Sequence, residues 1–112
     1  MRGVNRVMLI GNLGRDPELK ATPSGQVLAR FSIATTETWK NPQGEKQSKT
    51  EWHNIVAWGN LATICEKYLK KGKEIALDGR ITYRNWEDKN GTKHTTTEII
   101  ANEILMIGDK KE

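Results

Sequence analysis

The sequence predicts an all-β domain, a five-stranded Greek-key barrel with one helix between its third and fourth strands. Three observations carry that prediction. Apolar and polar residues alternate, or branched residues cluster, in five separate stretches; a helical repeat occurs in one place only; and clusters of Gly, Pro, Asn and Asp lie between them. The chain of 112 residues suits one domain, with room for a single core and not for two.

Residues 4–13 are rich in branched and long apolar side chains and predict the first strand, which runs into turn signals at Gly11, Gly14, Asp16 and Pro17. Thr22-Pro23-Ser24-Gly25 marks a further turn. Residues 26–38 alternate, with Val27, Ala29, Phe31 and Ile33 on one side and Leu28, Arg30, Ser32 and Ala34 on the other, and predict a second, half-buried strand. Asn41-Pro42-Gln43-Gly44 cannot continue a ladder, so the polar run 40–49 reads as a long hairpin loop before a third strand at 50–58. Leu61, Ile64, Cys65, Tyr68 and Leu69 fall on one stripe of a helix, with Asn60 to cap it, Lys70 and Lys71 in its last turn and Gly72 to stop it.

Residues 74–86 predict the fourth strand, and Gly79 within it marks a bulge or barrel corner. A hairpin loop at 87–92 carries the turn dipeptide Asn90-Gly91, and the β-branched run 93–107 predicts the last strand. Five strands with a helix between the third and fourth is the connectivity of the OB-fold, whose open face commonly binds oligonucleotides. Fold alone does not fix function, so the site must be argued from residues.

Eighteen Lys and Arg against fourteen Asp and Glu give a net charge of +4, which favours polyanionic partners only mildly. With 36% hydrophobic and 29% charged residues the composition is that of an ordinary soluble domain. Cys65 is alone, so no intrachain disulfide forms, and one Cys with two His cannot build a four-ligand zinc site without carboxylates. The apolar run after Arg2 and Arg6 is too short for a signal peptide or a membrane span, so a cytoplasmic chain with no membrane partner is expected.

Four tryptophans stand beside one Phe and two Tyr, and none of the four lies on the helical stripe. Trp39 ends the second strand; Trp52 and Trp58 differ by six, and so share a face with Asn54 and Val56; Trp86 ends the fourth strand with Arg84, Thr82 and Arg80 as its parity partners. Arginines are costly to bury unpaired, so the Trp86 face is expected to be wet. Exposed indoles beside basic groups suit nucleobases, because every base has a π-face while Lys or Arg holds the adjoining phosphate. The competing reading has the tryptophans packing the barrel.

Three stretches make the pattern specific. They are the opening residues Arg2-Gly3-Val4-Asn5-Arg6-Val7-Met8-Leu9-Ile10-Gly11-Asn12-Leu13-Gly14-Arg15-Asp16-Pro17-Glu18; Thr50-Glu51-Trp52-His53 leading into Val56-Ala57-Trp58-Gly59-Asn60-Leu61-Ala62; and Tyr68-Leu69-Lys70-Lys71-Gly72 followed by Asp78-Gly79-Arg80 and Trp86. In order and spacing, residues 2–107 resemble bacterial single-stranded DNA-binding proteins, OB-fold proteins that bind single strands during replication, recombination and repair. The resemblance implies that residues 1–108 form the DNA-binding domain and 109–112 a short polar end. It implies base stacking by Trp39, Trp52 and Trp86, and by Trp58 where a phenylalanine is usual. Arg2, Arg6, Arg84 and Lys71 match positions implicated in phosphate contact, and Arg80 joins them through its place beside Trp86.

Asn54, Asn60, Thr82 and Asn85 depart from the pattern, since some members carry a base there. The resemblance further implies a homotetramer, with His53 at a subunit interface and Val7 on a strand whose open edge needs covering. Members usually continue through a flexible linker to an acidic tip that recruits replication and repair proteins; here the chain stops at Asp109-Lys110-Lys111-Glu112, so such partners are expected only where a tail exists beyond it.

His94 reads as solvent-facing and Cys65 as a small buried hydrophobe. The turn pairs Asp16 with Glu18 and Glu87 with Asp88 lack further ligands for a two-metal site, so no metal, cofactor or catalytic residue is expected. A primosomal replication-restart protein of OB-fold type is the nearest alternative, and a metal-dependent nuclease is the alternative of another class.

Overall fold

The computed structural model describes residues 3–108, so Arg2 and the 109–112 end lie outside the described residues. Its elements are β1 (Val7–Leu13), β2 (Glu18–Ala21), β3 (Val27–Lys40), β4 (Lys46–Trp58), α1 (Asn60–Tyr68), β5 (Glu74–Glu87) and β6 (Lys93–Met106). The strands lie in the order β1-β5-β6-β4-β3-β2, and β1 also pairs with β3. That last pairing closes β1, β5, β6, β4 and β3 into the five-stranded barrel the sequence predicts, with β2 added along the β3 edge. Every pairing is antiparallel except the β4–β6 seam, where Ile55 faces Ile99 and Val56 faces Ile100.

Alternation fills the interior. Ala29, Phe31 and Ile33 of β3, Ile55 and Ala57 of β4, Ile75 and Leu77 of β5, and Ile99 and Ala101 of β6 meet Leu13 in one buried cluster. Helix α1 adds Ala62 and Cys65, with Leu69 just beyond it, and packs on β3 and β4. No tryptophan belongs to this cluster.

The barrel bends where β5 meets β6. Asp78 faces Glu103 but Gly79 faces Ala101, so Asn102 is an extra residue and the ladder is bulged. Gly79 therefore marks the corner that the sequence signals.

Several expectations change. The first strand starts at Val7 rather than at residue 4: the Asn5 side chain donates to the Ile81 carbonyl (2.7 Å) and accepts from its N–H (2.9 Å), replacing the backbone pair due at that rung. The loop expected at 40–49 shrinks to five residues between β3 and β4, because a strand pair projecting from the barrel needs no apolar alternation to stay paired. Asn41 organises that loop, its Oδ1 accepting from the N–H groups of Gln43 (3.0 Å) and Glu45 (2.8 Å).

Strand β2 was not expected, since its four residues are all exposed and show no pattern. The helix cap is Gly59, at φ 64°, and not Asn60; no side chain caps the first turn. The buried line of α1 runs through Ala62 and Cys65 toward Leu69, while Ile64 and Tyr68 face outward, because small residues let the short helix lie close across the barrel end. Burial pushes the Cys65 thiol up to about 11, as suits an inert core residue.

Candidate nucleic-acid interface

The outward face of the sheet is set by register. In β3 and β4, Leu28 faces Trp58, Arg30 faces Val56, Ser32 faces Asn54 and Ala34 faces Trp52, with no register shift along the pair. Across the seam, Val56 faces Ile100, and in β5 and β6, Arg80 faces Ile100, Thr82 faces Glu98, Arg84 faces Thr96 and Trp86 faces His94. Directly opposed residues share a face. Trp52, Trp58 and Trp86 are thereby brought onto one outward surface with Arg30, Arg80 and Arg84.

All four indoles meet solvent: Trp39 is 48% exposed, Trp52 59%, Trp58 40% and Trp86 40%. The barrel-packing alternative fails for each of them. Trp39 has the opposite parity, facing Gln47 on the projecting β3–β4 arm, so it extends the aromatic series without sharing the sheet face of the other three. Trp52 rests over Gly14, where an added Cβ would collide with the indole ring and meet the Ser32 hydroxyl. Beyond Ile55 and Ile99 the strands β4 and β6 part into a cleft of about 360 Å³, lined by Trp52, His53, Asn54, Thr95, Thr96, Thr97 and Ile99.

Trp86 is fixed on two sides. Its N–H donates to the Thr96 hydroxyl (2.9 Å), and the His94 ring stacks on it at 4.4 Å between centroids, 20° from parallel. His94 is exposed, as its sequence reading has it, and it also reaches Asp88 Oδ2 through Nε2 (2.9 Å). Asp88 Oδ1 accepts from the N–H groups of Asn90 and Thr92, both at 2.9 Å, and shapes the hairpin turn. The His94 hydrogen bond, then that of the Thr92 N–H, holds the Asp88 carboxyl below its usual value.

Between the tryptophans sits a group the sequence reading missed. Glu98 is only 5% exposed although it lies on the outward face, and its Oε2 accepts from Arg30 Nη1 (2.5 Å) and Arg84 Nη2 (3.3 Å). The signal was available, since Glu98 and Arg84 stand at alternating positions of strands that a hairpin turn must pair. Burial pushes the Glu98 carboxyl up, but the two arginine hydrogen bonds outweigh it and the net direction is down. This stabilisation is complete above the ordinary value of 4.5 and is lost as pH falls through the depressed one. Melting temperature should thus fall more steeply below pH about 4.5 for the natural protein than for Glu98→Gln, and parallel curves would show that the triad adds nothing to stability.

The remaining basic candidates are more scattered. Arg80 is exposed on β5. Arg6 is committed to Asp78, Nη2 to Oδ2 at 2.8 Å, and that contact raises its pKa. Arg6 lines a hollow of about 970 Å³ together with Met8, Ile10, Ala76 and Leu105, away from the rings of the tryptophan face. Lys71 is exposed in the turn after α1, where its N–H donates to Asp16 Oδ1 (2.8 Å). Val7 turns its half-buried side chain onto the core, and His53 Nε2 lies 2.8 Å from the Thr35 hydroxyl. Among the described residues no group of three His, Cys, Asp or Glu could hold a metal ion.

The model of the single-strand binding protein family matches residues 4–107. The chain belongs to that family. It is 51% identical over 110 residues to single-stranded DNA-binding protein 1 of Chlorobaculum tepidum, covering 97% of this chain and 68% of that one. The single-stranded DNA-binding protein of Neisseria meningitidis is 46% identical over 109 residues, covering 97% of this chain and 63% of that one. Among solved structures, the Plasmodium falciparum SSB complex with ssDNA superposes with a TM-score of 0.87 at 33% identity, over 96% of this chain and 98% of that one. The single-strand binding family is a family of DNA-binding proteins, and the OB-fold barrel is its architecture here.

Proposed function

We propose that this protein binds single-stranded DNA without reading its sequence and covers exposed strands during replication, recombination and repair. The observation that carries the reading is the outward face on which three exposed indoles share a surface with Arg30, Arg80 and Arg84. Bases stack on Trp52, Trp58 and Trp86, with Trp39 continuing the path along its arm. Arg80, Arg84 and Lys71 follow the phosphates, as does Arg2, which lies outside the described residues. Neither contact discriminates strongly among bases. The protein is not an enzyme in this reading: Asp16 and Asp88 are occupied in holding turns. No described helix is long and apolar enough to cross a membrane, and the cytoplasm is the proposed location.

Adding poly(dT) should quench tryptophan fluorescence strongly, and duplex DNA of equal length should bind far more weakly because its bases are already stacked. Equal affinity for both, with unquenched fluorescence, would reduce the interaction to nonspecific charge attraction.

The assembly proposed is a homotetramer. Strand β1 pairs with β5 from Val7 to Asn12 but with β3 only at Asn12 and Leu13, leaving one edge of its first part open. Beside that edge Met8, Ile10 and Leu105 are each more than 60% exposed around the apolar hollow. Since Val7 points inward, Met8→Lys is the cleaner probe and should lower the sedimenting mass at micromolar protein. A natural protein that sediments as a monomer would remove the tetramer from the proposal. His53 at a subunit interface, and replication or repair proteins recruited through a tail beyond this chain, belong to the same reading.

A further inference from the structure

We propose that His94 is itself a DNA-binding residue, taking up a proton as single-stranded DNA binds, so that its imidazolium meets the phosphate backbone while its ring backs the indole of Trp86. The proposal rests on reading the tryptophan face as a single-stranded DNA site.

Geometry makes His94 and Trp86 one unit. They are directly opposed in the β5–β6 ladder and their rings lie 4.4 Å apart. With one indole face against the imidazole and its N–H on Thr96, the other face is what remains for a base. The imidazole side chain is still 41% exposed. It is therefore open to a backbone phosphate passing the hairpin.

The chemistry of the two ring nitrogens supplies the proton link. Nε2 faces Asp88 Oδ2, and Asp88 is anchored by the turn, so this nitrogen carries hydrogen toward a fixed carboxylate. In the neutral ring Nδ1 is then an acceptor, which repels a phosphate oxygen. Protonation turns Nδ1 into a donor and adds a positive charge. Among the described residues Nδ1 has no hydrogen-bond partner.

The charged groups around the ring are few. Asp88 contacts the ring directly; Arg84 lies two residues before Trp86 on the same face but is drawn to Glu98; and Glu87 and Lys93 face each other on the opposite side of the hairpin. An indole π-face also attracts a cation more than a neutral ring. A bound polyanion attracts the imidazolium more than the neutral ring, so affinity should rise as pH falls.

The test is a poly(dT) fluorescence titration at fixed salt from pH 5.5 to 8.5, on the natural protein, His94→Phe and His94→Arg. Phenylalanine keeps a flat ring on Trp86 without the proton, and arginine keeps a charge at every pH. Affinity of the natural protein should rise severalfold toward pH 5.5. Both variants should lose most of that slope, with His94→Arg the tighter of the two at pH 8.5. Calorimetry in two buffers of different ionisation heat should show net proton uptake on binding that His94→Phe abolishes. A His94→Phe protein that binds tightly with the natural pH profile would overturn this proposal and leave the DNA-binding reading intact. Absence of poly(dT) binding by the natural protein at every pH would overturn both.

Discussion

Replacing Trp52 by alanine is expected to weaken poly(dT) binding by about 1–3 kcal/mol per site, a loss of roughly 5- to 150-fold, and Trp86→Ala should cost a similar amount. The rings are exposed and take no part in the core cluster, so the loss falls on the bound state and not on folding. A neutral ring releases no counterions, so the slope of log K against log salt should stay unchanged, unlike the loss of a phosphate contact, which lowers it by about 0.7. Gly14 gives an independent handle on the same ring. A methyl group there collides with the Trp52 indole, so Gly14→Ala should reproduce part of the Trp52→Ala loss by displacing the ring without removing it. An unaltered affinity in Trp52→Ala, Trp86→Ala and Gly14→Ala alike would take the tryptophans out of the site.

The largest effect on stability is expected from Gly79→Ala. A Cβ on Gly79 would collide with the carbonyl of Ile100 and crowd the Cα of Ala101, which are backbone atoms of a paired strand and cannot swing aside as a side chain tip would. The bulge around Asn102 is what brings that backbone so close. Overpacking of about 3 kcal/mol is expected, which for a domain near this size lowers Tm by on the order of 15 °C. Thermal unfolding followed by far-ultraviolet circular dichroism measures it. A melting point within a few degrees of the natural protein's would mean that the corner yields readily.

Most of the barrel is legible in the sequence, because the inward residues of β3 alternate cleanly as Ala29, Phe31 and Ile33 and the Gly79 corner carries its own signal. The parts that are not legible share a cause. Strand β2, the start of β4 and the outer ends of both hairpins are held by ladder hydrogen bonds with both faces wet, so no hydrophobic period announces them. Asn5 defeats the reading differently, since nothing local tells that its amide will stand in for a backbone rung.

The tryptophans are recognisable in the sequence from their number and from the shared parity of Trp52 and Trp58, and the cross-strand register adds Trp86 to that face. Glu98 goes unmarked in the pattern of its own strand; the β5–β6 hairpin brings Arg84 to it, and Arg30 arrives from β3. His94 reads as solvent-facing and is exposed, but its neighbour does not show in the sequence. Its neighbour is Trp86, eight positions earlier in the chain and directly opposite once the hairpin closes.

The parallel seam between β4 and β6 is only two rungs long, Ile55 with Ile99 and Val56 with Ile100. Below it the molecule is a closed hoop; above it each hairpin is a lever joined to the hoop by a single pair of strands. Trp39 rides one lever and Trp86 with His94 the other, while Trp52 stays at the hoop, over Gly14 and opposite Ala34, which also pairs with Asn12 of β1. A small change in the angle at those two rungs would therefore be magnified at the outer rings, which take no part in the core cluster. For the proposed stacking site, such a hinge would let one set of side chains meet strands that differ in base size and in the spacing of successive nucleotides.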